Sequence, residues 1–144
     1  MAIEVFNRYE KKYIIDEDTF HKLTYKISDY MTPDAYNRNG EAYRISNIYY
    51  DTENDQLIRA SIEKPAYKEK LRLRAYGTPE LTDNVFVEIK KKYDGIVNKR
   101  RTSITLQEAY YFLDDDICPD SHEGRINRQV LKEIDYFKNF YHLQ

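Results

Sequence analysis

The chain has 144 residues with one Cys, four Gly, four Pro and no Trp, which favours one globular domain and excludes a disulfide scaffold or a collagen-like repeat. Charged residues make up 33% and apolar residues 41%, and no apolar run approaches the roughly 18 residues needed to cross a bilayer. The formal charge of −2 conceals an uneven distribution, because Lys68 to Arg101 carries ten basic residues against five acidic ones, while the remainder carries 13 against 20. A locally basic stretch in an acidic chain points to a defined anionic ligand and away from general nucleic-acid binding, which goes with a high domain pI. The N-terminus lacks the apolar stretch and cleavage site of a signal peptide, and the lone Cys118 cannot form an internal disulfide, so a reducing cytoplasm is the expected location.

Taken in order, Phe6 to Ile15 is rich in aromatic and β-branched residues and predicts a strand. Asp16-Glu17-Asp18 then supplies an N-cap and first-turn carboxylates for a helix bearing Phe20, Leu23 and Ile27. Met31 to Glu41 carries loop chemistry, and a second strand is expected from about Tyr43 to Thr52. Asp55 to Ile62 predicts a short helix that ends before Lys64-Pro65, since the residue before a proline is pushed out of the α region. Three strands follow, about Tyr67 to Tyr76, Val85 to Lys92 and Ile96 to Ile104, the last two joined by a turn at Tyr93-Asp94-Gly95. Leu106 to Leu113 and Asn127 to Leu143 read as helices around an acidic loop, the second with Val130, Ile134, Phe137 and Tyr141 on one stripe. The pattern is α+β with a mainly antiparallel sheet flanked by helices.

Strand alternation decides what the sheet displays, because residues two apart share a face. Arg8, Glu10 and Lys12 are expected together in the first strand. In the third, Lys68, Lys70, Arg72 and Arg74 share one face and Leu71, Leu73 and Ala75 the other. In the fourth, Glu88, Lys90 and Lys92 oppose Val85, Val87 and Ile89, and in the fifth Lys99, Arg101 and Ser103 lie together. Any one such face is ordinary for a half-solvated antiparallel sheet. Four in one small sheet, dominated by Arg and Lys, repel one another unless an anion lies among them. Phosphate suits this chemistry, since Arg matches two phosphate oxygens with its planar fork and Lys adds compact charge. Lys91 should point away from Lys90 and Lys92. Cys118 and His122 have no further Cys or His nearby and do not make a zinc site, and there is no glycine-rich phosphate loop, GxSxG or HExxH.

In order, Arg8-Tyr9-Glu10-Lys11-Lys12-Tyr13, Ile48-Tyr49-Tyr50-Asp51-Thr52, Lys70-Leu71-Arg72-Leu73-Arg74-Ala75-Tyr76-Gly77, Val87-Glu88-Ile89-Lys90 and Lys99-Arg100-Arg101 resemble the VTC domain. That is the polyphosphate polymerase branch of the triphosphate tunnel metalloenzymes, relatives of the CYTH proteins. The resemblance implies an antiparallel tunnel-type barrel whose basic lining holds ATP, another triphosphate or polyphosphate, with Mn or Mg as the metal. It further implies transfer of the γ-phosphate of ATP to a growing chain with release of ADP. Position by position, Lys12, Arg72, Arg74, Lys90 and Lys99 match the family's phosphate-binding residues, with Arg101 a weaker match. Glu10 and Glu88 would either take the metal, directly or through water, or pair with neighbouring Lys and Arg.

Two departures qualify the resemblance. The hydrolytic branch carries ExExK in its first strand, whereas Arg8 stands here where the first Glu would be, which argues against a triphosphatase. Family domains also continue into further basic strands and a metal-binding glutamate, so residues 1–144 look like one domain forming the N-terminal half of a tunnel. The expectation is therefore a metal-dependent phosphotransferase when the domain is complete, with the 144-residue chain binding but turning over little. The alternatives are a non-catalytic polyanion-binding module and a CYTH-type triphosphatase. Uncovered strand edges lead to the further expectation of a homo-oligomer.

Overall fold

The computed structural model describes residues 5–9, 11–33, 43–119 and 126–144, and for residues 5–9 the backbone only. The elements run β1 (Val5–Tyr9), α1 (Glu17–Ile27), β2 (Ile45–Tyr50), α2 (Gln56–Ile62), β3 (Tyr67–Tyr76), β4 (Asn84–Tyr93), β5 (Ile96–Thr105), α3 (Leu106–Asp114) and α4 (Arg128–Tyr141). They fall into two compact units, residues 11–43 with α1 and the remainder with the sheet.

In the smaller unit, the Asp16 carboxylate accepts the Thr19 N–H and so caps α1 as its sequence predicts. No residue of α1 is buried, and its stripe of Phe20, Leu23 and Ile27 remains exposed.

In the larger unit, five strands form an antiparallel sheet in the order β1-β5-β4-β3-β2. Tyr93 pairs with Ile96, leaving Asp94 and Gly95 as a two-residue loop with φ of 42° and 83°. Positive φ at both positions is the turn geometry that matches strand twist, which is why Asp-Gly stands here. The sheet is not closed into a barrel among the described residues: β1 and β2 are its edges.

The first strand is shorter than expected, ending at Tyr9 rather than Ile15. Its partner explains this, because Tyr9 pairs with Ile96, the first residue of β5 after the hairpin loop, and there is no further β5 backbone to pair with. The expected alternation through Arg8, Glu10 and Lys12 therefore does not extend along one strand, and Glu10 itself lies outside the described residues. The second strand is trimmed to Ile45–Tyr50 because Asp51 leaves the ladder to cap α2: its carboxylate accepts from the backbone N–H of Leu57 and Ile58 at 2.8 and 2.9 Å.

One face of the sheet is apolar, and α3 and α4 cover it. Leu71, Val85, Val87, Ile89 and Ile104 pack with Ala109 and Phe112 of α3 and with Val130, Ile134 and Phe137 of α4. Thr105 and Glu108 form a reciprocal capping box at the start of α3. Its end is closed by Lys138, whose buried ammonium donates to the carbonyls of Phe112 and Leu113 at 2.9 and 3.2 Å. With one face sealed in this way, the other face carries the chemistry.

Candidate functional site

The cross-strand register stacks the polar face into four rows. Asn47, Arg74, Phe86 and Ser103 form one, and Tyr49, Arg72, Glu88 and Arg101 the next. Lys70, Lys90 and Lys99 follow, and then Lys68, Lys92 and Val97. The alternation expected from the sequence holds for β3, β4 and β5, and Lys91 points to the helix side, where its Nζ lies 3.7 Å from the Glu69 carboxylate.

Glu88 is the centre of this face and is completely buried, at 0% exposure. Arg72 Nε reaches its Oε2 and Lys99 Nζ its Oε1, and Arg101 Nη1 lies 3.7 Å from Oε1. Burial alone would push the Glu88 carboxyl up, but the Lys99 hydrogen bond and the Arg72 and Lys99 charges outweigh it, so its pKa is below the ordinary value. Burial works downward on Lys99 and wins over the pull of Glu88, helped by repulsion from Arg101 and Arg72. Arg72 is also desolvated, yet Glu88 and the Tyr49 hydroxyl hold its pKa above the usual value. One carboxylate against three cations leaves this group positive. The Arg101 Nε is buried without a hydrogen-bond partner among the described residues, while its guanidinium lies 4.4 Å from the Phe86 ring centroid.

Around this centre, β2 adds polar groups that the sequence did not reveal. Arg72 Nη1 donates to the Tyr49 hydroxyl at 3.4 Å, and Arg74 Nε donates to Asn47 Oδ1 at 2.9 Å. Lys70 Nζ lies 5.6 Å from the Tyr49 ring centroid. Burial raises the Tyr49 pKa, but the Arg72 hydrogen bond and the charges of Arg72, Lys70 and Arg74 bring it below the ordinary tyrosine value. The signal for Tyr49 was its place beside Tyr50: alternation puts Tyr50 in the core and Tyr49 on the opposite face.

Of the residues singled out in the sequence, Arg72, Arg74, Lys90, Lys99, Arg101 and Glu88 share this face. Lys12 belongs to the other compact unit, in the stretch before α1. As a metal ligand, Glu88 is a poor fit, because both of its oxygens already meet cations. No group of three metal-ligating His, Cys, Asp or Glu side chains occurs among the described residues. No described helix is long and apolar enough to cross a membrane.

Basic rows carrying the LRLR and VEIK motifs, a buried Glu between them and a helix-covered reverse face form one arrangement spread over most of the chain. The VTC domain family model matches residues 7–144. The chain belongs to the VTC domain family. Membership extends through α4, beyond the motifs from which the resemblance was read, and it points to a polyphosphate-related function in general.

Proposed function

We propose that the Arg72, Arg74, Lys90, Lys99 and Arg101 face binds the phosphates of a triphosphate or of polyphosphate, as the phosphate-binding wall of a polyphosphate polymerase-type domain. The observation that carries this reading is the Glu88 cluster. A solvated sheet face has no use for a buried carboxylate that gathers three cations and still leaves positive charge and an unpartnered Arg101 N–H. In transfer of the polymerase type, the bond between the β,γ-bridging oxygen and the γ-phosphorus of ATP breaks, the chain-end phosphate oxygen bonds to that phosphorus, and ADP leaves. The contribution of this face is to neutralise phosphate charge and hold the reacting oxygens in line, which is most of what phosphoryl transfer asks of a protein. In this reading the open sheet supplies one wall of the tunnel. Glu88, the one carboxylate among the described residues of this face, is already paired and would not hold Mn or Mg.

Binding without turnover is the second reading, and the engagement of Glu88 by cations favours it for these 144 residues. Calorimetric titration with tripolyphosphate and with long-chain polyphosphate tests binding, and saturable uptake of either is expected. Incubation with ATP and Mn then separates the activities: ADP with chain growth marks a polymerase, orthophosphate a triphosphatase, and neither a binding module. Failure of the protein to take up any of these anions would overturn the proposal.

A further inference from the structure

The row at the hairpin end of the polar face is not accounted for by the phosphate residues above. Lys68 and Lys92 are directly opposite each other in the β3–β4 ladder, and the adjacent row sets Lys70 against Lys90 and Lys90 against Lys99. Like charges in opposed positions destabilise a sheet. All of these lysines are at least half-buried, so water screens the repulsion less than at an open surface. No described carboxylate forms an ion pair with Lys68 or Lys92. Among the described residues, the Lys68 ammonium donates a 3.1 Å hydrogen bond to the Ser61 carbonyl in α2, which occupies one of its three donors. Burial and the repulsion of Lys92, Lys70, Lys64 and Lys90 together lower the Lys68 pKa.

Lys68 lies four residues along β3 from Arg72, and Lys92 four along β4 from Glu88, which places their row about 14 Å from the arginine row. The two P–O–P linkages of a triphosphate held at Arg72 and Arg101 are too short to cover that distance. A longer chain can lie along the face, because Lys70, Lys90 and Lys99 are the stepping row between the two ends.

We propose that Lys68 and Lys92, with Lys64 beside them, form a separate phosphate subsite that holds the continuing part of a polyphosphate chain whose end sits at the Arg72–Arg101 row. This inference rests on the phosphate reading of the face. It makes chain length, and not only charge, a determinant of affinity.

The test is competition between ligands and between faces. Tripolyphosphate and long-chain polyphosphate are titrated into the wild type, the Lys68→Gln/Lys92→Gln variant and a Lys91→Gln/Lys132→Gln variant, which removes the same charge from the helix-covered side. Gln keeps most of the aliphatic stem, and circular dichroism checks each fold. In the first variant, long-chain affinity should fall about tenfold, the scale of two partly exposed charge-assisted contacts, with tripolyphosphate affinity nearly unchanged. Lys92→Glu alone gives a second reading and should lower long-chain affinity with tripolyphosphate again spared. Equal losses for both ligands, no loss for the long chain, or an equal loss in the Lys91/Lys132 variant would overturn the subsite. A wild type that binds neither ligand would instead overturn the phosphate reading of the whole face.

Discussion

Glu88 decides how the polar face behaves, because it is the one carboxylate among its described cations. A bare charge count predicts that Glu88→Gln tightens anion binding by making the face more positive. The geometry predicts the reverse, since Arg72, Lys99 and Arg101 lose the group that holds them together. Glu88→Gln should also lower unfolding free energy by about 3–5 kcal/mol, the cost of breaking a buried pair from one side; denaturant melts measure this. The pKa of Glu88 is lower in the folded state, so its stabilisation is complete above the ordinary glutamate pKa and fades as pH falls through the lower folded value. The wild type should therefore lose stability on acidification more steeply than Glu88→Gln, and parallel pH profiles would refute the pairing. Arg72→Ala and Arg74→Ala are each expected to weaken triphosphate or polyphosphate binding by about 1.5–3 kcal/mol, the scale of a hydrogen bond to a charged group. Lys91→Ala should do much less, and an equal calorimetric loss at Lys91 and Arg72 would contradict the face assignment. At this scale the faces of the β3, β4 and β5 residues were legible, because alternation is local. The partners of Glu88 were not, because they depend on how three strands are registered against one another.

Element boundaries were most legible where local chemistry sets them. Asp94-Gly95 marks the β4–β5 hairpin in sequence as well as in space, and Gly95→Ala, at φ 83°, should cost about 1 kcal/mol or more by forcing a Cβ into the left-handed region. A lowered denaturation midpoint with the ligand affinity retained is the expected result. The β2–β3 pairing was hidden, because α2 intervenes and the Tyr49–Arg72 and Asn47–Arg74 contacts belong to strands separated in the chain. The first strand misled for a related reason: Tyr13, Ile14 and Ile15 have strand composition, but Tyr9 already pairs with the first residue of β5, and composition carries no information about the partner. Lys138 was equally unreadable, since a lysine in an amphipathic helix ordinarily marks its solvent side. Here it is 5% exposed, ion-paired with Asp116 and bonded to two carbonyls at the end of α3. Replacing it with Met keeps the bulk and strands those carbonyls, so Lys138→Met should lower stability by about 1–3 kcal/mol in chemical denaturation.

For the whole molecule, charge and open edges act together. The chain is net negative while its polar sheet face is strongly positive, so anions are attracted to one side of a protein that otherwise repels them. Among the described residues, β2 pairs on one side only, and Ile45, Ile48 and Tyr49 on it are exposed. Its six residues, ISNIYY, contain none of the charges or prolines with which proteins usually guard an edge. Joining a second copy at this edge would satisfy its backbone groups and extend the sheet, but it also brings two positive faces near one another. A bound polyanion removes that opposition, and salt weakens both the repulsion and the anion's hold on the lysines and arginines. Assembly is therefore predicted to require the ligand at low ionic strength. Light scattering with and without tripolyphosphate or polyphosphate should show about 17 kDa rising towards twice that mass only when the anion is present. Lys91→Gln should leave the rise intact, and Arg72→Ala should reduce it in proportion to lost binding. A protein that takes up polyphosphate and remains monomeric at every concentration would show that the β2 edge is not a dimer interface, leaving the phosphate face to act alone.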